Sequence, residues 1–241
     1  MLIFPAIDIR GGKCVRLTEG DFARETVFAD DPAEMARRWA DEGAQYLHVV
    51  DLDGALRGAP VNLDAVSRIL AAVDIPVQLG GGLRDRRGVE AALASGVSRV
   101  ILGSAAVKNP ALVAELCAEY GEKIVVGIDA RGGVVSVEGW SESGGVGAAA
   151  LARQMAQAGV RRVIYTDISR DGTLGGVNAA ATAQLARESG LRVIASGGVA
   201  GLADIRAVKA VEADGVEGVI AGKALYTGAL SLPAALAVAK G

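Results

Sequence analysis

Six times along this 241-residue chain a helix-like segment ends at a glycine, two or three residues follow, and a short apolar run begins. The glycines are Gly43, Gly96, Gly121, Gly159, Gly190 and Gly215, and the runs they introduce are 47–50, 100–102, 124–126, 163–165, 193–195 and 219–221. Each glycine reads as the residue that closes a helix, where a positive φ would cost any side chain energy. Two further apolar runs, 2–7 and 75–79, bring the strands to eight. The runs lack clean polar alternation and are separated by helices, which indicates a parallel sheet covered by helices. Eight βα units in about 240 residues fit an α/β fold of the closed (β/α)8 barrel type, a TIM barrel, better than an open doubly wound sheet.

The helices carry their own start signals. Asp31-Pro32-Ala33-Glu34 places a capping carboxylate, a first-turn proline and an acidic third residue in order, and Asn109-Pro110 opens another helix in the same way. In that second helix Leu112, Val113, Leu116, Cys117 and Tyr120 share a face, so Cys117 reads as core filling. A longer repeat lies over the short one. Residues 6–13 align with 127–134, 49–52 with 165–168, 79–82 with 195–198, and 100–105 with 218–224. Strands one to four echo strands five to eight, as two half-barrels would. No linker divides them, so residues 1–241 are expected to form one domain.

Composition excludes several classes of function. Twenty-five basic residues against 28 acidic ones give a net charge of −3 without charge blocks, which argues against nucleic acid and membrane surfaces as partners. No apolar stretch approaches the roughly 18 residues of a spanning helix. The first residues lack a basic region followed by a long apolar run, so a cytoplasmic protein is expected; a monomer is compatible with the size and charge. With only Cys14, Cys117 and His48, neither a disulfide framework nor a zinc cluster is expected. His48, inside the second strand, reads as a satisfied core or layer histidine rather than a ligand.

In this barrel class the working face is at the C-terminal ends of the strands. Asp8 and Asp129 close strands one and five, so they would face each other across the mouth, as a general acid and a general base must. The alternative for each is to cap a loop or pair with Arg10 or Arg131. Glycines give a second pattern: Gly81-Gly82 and Gly103-Ser104 follow strands three and four, and Gly197-Gly198 and Gly222-Lys223 follow seven and eight. Glycine backbones let amide N–H groups approach phosphate oxygens, and four such places point to a ligand with two phosphates. Arg16 and Arg84 would add charge there or lie on the surface. Three loops, 9–30, 130–146 and 168–177, are longer than turns and suit lids. The second carries Trp140, which would stack on a flat heterocycle or anchor its loop. The third runs Thr166-Asp167-Ile168-Ser169-Arg170-Asp171-Gly172-Thr173, a substrate-binding loop around Asp171 or a polar bend.

Residues 4–17, 48–55, 166–176, 195–199 and 222–226 together resemble the phosphoribosylformimino-aminoimidazole carboxamide ribotide isomerase family of histidine biosynthesis, over essentially the whole chain. The resemblance implies an Amadori rearrangement of an N-linked aminoaldose carrying a phosphate at each end, without metal or redox cofactor. It implies that Asp8 removes the proton from the second sugar carbon, Asp129 protonates the ring oxygen, and Thr166 positions the opened sugar. It also implies that Gly81, Gly82, Gly103, Ser104, Gly176, Gly197, Gly198, Gly222 and Lys223 hold the phosphates. Three rivals stand beside it. A bifunctional relative also isomerises phosphoribosyl anthranilate, but tends to place Arg where this chain has Val137 and Glu138. The cyclase subunit of imidazole glycerol phosphate synthase carries a Cys-Leu-Asp pattern where this chain has Ala6-Ile7-Asp8. A non-catalytic phosphosugar-binding barrel would not need Asp8, Asp129 and Thr166 intact.

Overall fold

The computed structural model describes residues 1–140 and 142–241. In chain order the strands are β1 Leu2–Arg10, β2 Lys13–Thr18, β3 Asp21–Ala29, β4 Leu47–Asp51, β5 Val77–Gly80, β6 Arg99–Leu102, β7 Ile124–Arg131, β8 Val134–Val137, β9 Glu142–Gly147, β10 Arg162–Asp167, β11 Arg192–Ser196 and β12 Val216–Ala221. Eight of them pair in parallel in the ring β1–β4–β5–β6–β7–β10–β11–β12, which closes through β12 on β1. The expected (β/α)8 barrel is therefore present. The helices are α1 Pro32–Asp41, α2 Leu52–Arg57, α3 Leu63–Ala72, α4 Arg86–Ala94, α5 Ser104–Lys108, α6 Pro110–Tyr120, α7 Ala148–Gln157, α8 Ala179–Ser189, α9 Leu202–Lys209, α10 Lys223–Tyr226 and α11 Leu232–Lys240.

Local signals act as expected. Asp31 accepts a hydrogen bond from the N–H of Ala33 at the start of α1, and Asn109 from Leu112 at the start of α6. Val113, Leu116 and Cys117 are buried on α6, so Cys117 is core. The strands divide the apolar side chains into two cores. Phe4, Ala6, Tyr46, Ile101, Val125, Ile164, Ile194 and Ile220 fill the barrel interior, and a larger cluster lies between sheet and helices.

Two of the three long loops are more ordered than their length suggests. β1 runs on past the barrel to Arg10, turns at Gly11-Gly12, and pairs antiparallel with β2, which pairs with β3. β7 runs on to Arg131, turns at Gly132-Gly133, and pairs with β8, then β9. The positive φ values of 55° and 76° at Gly11-Gly12, and 56° and 80° at Gly132-Gly133, fit tight two-residue hairpin turns. Only residues 168–177 form a loop without regular pairing. Among the described residues no helix is long and apolar enough to cross a membrane.

Candidate active site

Side chains alternate across a strand, and this places the site. Phe4 and Ala6 point into the barrel, so Asp8, two residues on, points inward at its mouth; Val125 fixes Asp129 in the same way, and Ile164 fixes Thr166. β1 and β7 are four strands apart in a ring of eight, so the two aspartates face each other. Thr166 is the register neighbour of Asp129. All three line one cavity of about 240 Å³.

The environments of the carboxylates differ. Asp8 is held by Arg16, whose Nη1 lies 2.9 Å from its Oδ2, rather than by Arg10, which pairs with Glu25. This is a charge contact more than a directed hydrogen bond, since Nε and Nη1 of Arg16 lack an aligned acceptor. Burial raises the Asp8 pKa to about 6, with Arg16 opposing the rise and the nearby Asp171 adding to it. Burial also raises Asp129, while hydrogen bonds from Trp140 and Thr166 oppose the rise. The Trp140 bond runs from Nε1 to Oδ2 at 2.7 Å, so this residue anchors its loop onto the candidate acid. Asp171 is raised by burial, against Arg16 and Lys223.

The two glycine rims are not equivalent in shape. Gly81, Gly82, Gly103, Ser104 and Arg84 line the large cavity. Gly197, Gly198, Gly222 and Lys223 line a smaller one of about 20 Å³, together with Asp171. Arg16, Asp171, Ser196 and Ile220 line both. Backbone packing explains the paired glycines on each side. A Cβ on Gly81 would lie 2.1 Å from the carbonyl oxygen of Asp51, and one on Gly197 2.6 Å from that of Asp167. Gly103 has open space at that position, and Gly222 has the Arg16 guanidinium against it. Gly176 lines neither cavity. Its N–H donates to the carbonyl of Gly198 at 2.8 Å, so it braces the second rim from behind.

Arg84 is partly buried and pairs with Glu138, which also pairs with Lys108. Lys223 ties two loops, donating from Nζ to Thr18 Oγ1 at 3.2 Å and to the Gly172 carbonyl at 2.8 Å. His48 is the layer histidine of the two places the sequence allows it, hydrogen-bonded to Gln78 inside the barrel. It lies between Leu47 and Val49, both fully buried, yet it faces the cavity. Its Nδ1 is hydrogen-bonded to the Gln78 side-chain amide at 3.0 Å. Burial beside Arg16 lowers its pKa to about 3. The inward alternation Tyr46, His48, Val50 was the signal that would have found it, and the same alternation brings in Ser196 after Ile194.

Comparison with known proteins shows what the chain as a whole is similar to. The family described as "Histidine biosynthesis protein" matches residues 2–231. The chain is 56% identical over 241 residues to a protein of Desulforamulus reducens, covering 100% of this chain and 98% of that one. It is 57% identical over 240 residues to one of Chloroflexus aggregans and 54% identical over 240 residues to one of Heliobacterium modesticaldum, again covering 100% of this chain and 98% of each relative. All three relatives are named 1-(5-phosphoribosyl)-5-((5-phosphoribosylamino)methylideneamino)imidazole-4-carboxamide isomerase.

Proposed function

The chain belongs to the histidine biosynthesis protein family, and from that membership and the cavity we infer that it is the isomerase its relatives are named for. The enzyme converts an N-linked aminoaldose into the corresponding aminoketose. The observation that carries the chemistry is a pair of opposed, inward-facing carboxylates, Asp8 and Asp129, each with its proton affinity raised by burial.

In this reading Asp129 gives its proton to the furanose ring oxygen, and the C1–O bond breaks to leave an open-chain iminium. The indole N–H of Trp140 and the hydroxyl of Thr166 then stabilise the carboxylate that forms, which lowers the barrier as charge develops. Asp8, ionised above about pH 6, takes the proton from C2, and those electrons form the enolamine. C1 then gains a proton as the 2-hydroxyl loses one, so substrate and product are isomers. Gly81, Gly82, Gly103, Ser104 and Arg84 would hold one phosphate. Arg16, Gly197, Gly198, Gly222 and Lys223 would hold the other, with Gly176 supporting them and Asp171 close by. The smaller cavity would widen to admit it, through movement of the loops that Lys223 ties together. We take residues 1–241 as one domain of a cytoplasmic protein, acting as a monomer because the cavity is lined by the chain's own loops.

Asp8→Asn and Asp129→Asn test the assignment, with phosphoribosyl anthranilate run beside the aminoaldose. Each substitution is expected to lower kcat by about 10³-fold while the doubly phosphorylated substrate still binds. Wild-type kcat/KM should fall as pH drops through about 6, because Asp8 then takes up a proton. Turnover by Asp8→Asn near the wild-type rate would remove it from the mechanism.

A further inference from the structure

We propose that Gly20, at the turn between β2 and β3, is a positioning residue for Asp129: its missing side chain leaves the place in which the Trp140 indole sits against that carboxylate. The inference rests on the reading of Asp129 given above. Gly20 lies in a different loop from Trp140 and has a φ of +71°. A Cβ built on it would lie 2.4 Å from Cε3 and 2.6 Å from Cζ3 of the indole, too close for either to stay in place. On its other edge the same indole donates from Nε1 to Asp129 at 2.7 Å. Gly20, Trp140 and Asp129 all line the large cavity.

Neither partner has an easy retreat. The hairpin turn is held on the far side by the Glu19 N–H, which donates to the Asp171 carbonyl at 3.1 Å, and by Lys223 on Thr18. Gly172 packs tightly against it, since a Cβ there would lie 2.7 Å from the Leu17 carbonyl oxygen. Trp140 is the third of three consecutive residues with positive φ, 54° at Glu138, 64° at Gly139 and 74° at Trp140 itself. That run is tied down where the Glu138 N–H donates to Ser104 Oγ at 2.9 Å and its carboxylate pairs with Arg84 and Lys108. A side chain at position 20 therefore has to displace the indole, and the indole is what donates to Asp129. The turn at the end of one loop thereby sets the hydrogen bonding of a carboxylate on the opposite strand.

The test compares Gly20→Ala with Gly12→Ala. Gly12 has a φ of +76° in the same β1–β3 extension but nothing within 4 Å of a built Cβ, so it reports backbone strain alone. Gly20→Ala is expected to lower kcat by about tenfold or more with little change in KM, while Gly12→Ala stays within about twofold of wild type. The pH limb governed by Asp129 should move to higher pH in Gly20→Ala, since the lost donor had opposed the rise in its pKa. Trp140 emission, taken as the difference between each protein and its Trp140→Ala counterpart, should become more accessible to acrylamide. In the Trp140→Ala background, adding Gly20→Ala should cost no further activity, and any fall in Tm beyond that of Gly12→Ala should vanish. Equal losses in the two glycine variants, additivity of Gly20→Ala with Trp140→Ala, or unchanged Trp140 quenching would overturn the proposal. Wild-type turnover by Asp129→Asn would instead overturn the reading of Asp129, with the quenching result still reporting on the indole.

Discussion

At the scale of single residues, the glycines of the first rim carry different burdens, and substitution separates them. Gly81 combines a φ of +101° with a Cβ position 2.1 Å from backbone, so Gly81→Ala is expected to cost on the order of 3 kcal/mol, read by urea denaturation. Gly103 has open space instead, and Gly103→Ala should stay within about 1 kcal/mol of wild type. Gly103→Glu, which would crowd and repel a phosphate, should mainly raise KM; an unchanged KM would move the phosphate elsewhere. The sequence shows both glycines as equal candidates because a motif records the absence of a side chain and not its reason. It shows Asp8 and Asp129 more fully, since a polar residue that closes an apolar barrel strand lies at the working face.

Elements are joined at this site by aspartates that accept from backbone rather than act on substrate. Asp51, at the end of β4, is buried and accepts from the N–H groups of Gly54, Val61 and Asn62 and from Asn62 Nδ2, at 2.7–2.9 Å. It fixes α2 and the turn behind Gly81 and Gly82. Asp167, at the end of β10, accepts from Ser169 and Asn178. Asp51→Ala would strand several buried donors and is expected to cost at least ~3 kcal/mol, lowering Tm by about 10 °C by calorimetry. A fall of only a degree or two would mean that water replaces the carboxylate. These aspartates align in the sequence, but their role depends on donors up to 11 residues away, which no local pattern marks. The hairpins were hidden for a related reason. β3 and β9 are polar and largely exposed and so lack the apolar runs that announce the barrel, and β2 and β8 are short runs inside long loops, although Gly11-Gly12 and Gly132-Gly133 mark the turns.

For the whole molecule, the single histidine makes one part of the pH dependence separable. His48 is neutral in the fold, with its pKa lowered to about 3, whereas the unfolded chain binds a proton there below about 6.5. Its contribution is complete above pH 6.5 and is lost as pH falls toward 3, so between pH 7 and pH 5 it removes about 2 kcal/mol. Asp8 works in the opposite direction, because its folded pKa of about 6 makes the fold the tighter proton binder above pH 4. Denaturation of wild type and His48→Asn at both pH values should therefore differ by ~2 kcal/mol in their pH response, with wild type losing more; parallel behaviour would mean that His48 is protonated within the barrel. The sequence by itself determined the eight βα units, the inward placement of the two aspartates and the glycine rims, because these follow from periodicity and from the φ values that particular residues allow. Only the tertiary structure decided that Arg16 pairs with Asp8, that Trp140 sits between Gly20 and Asp129, and that one rim is open and the other nearly closed. Those contacts join residues distant along the chain, and their geometry exists only once the barrel has closed.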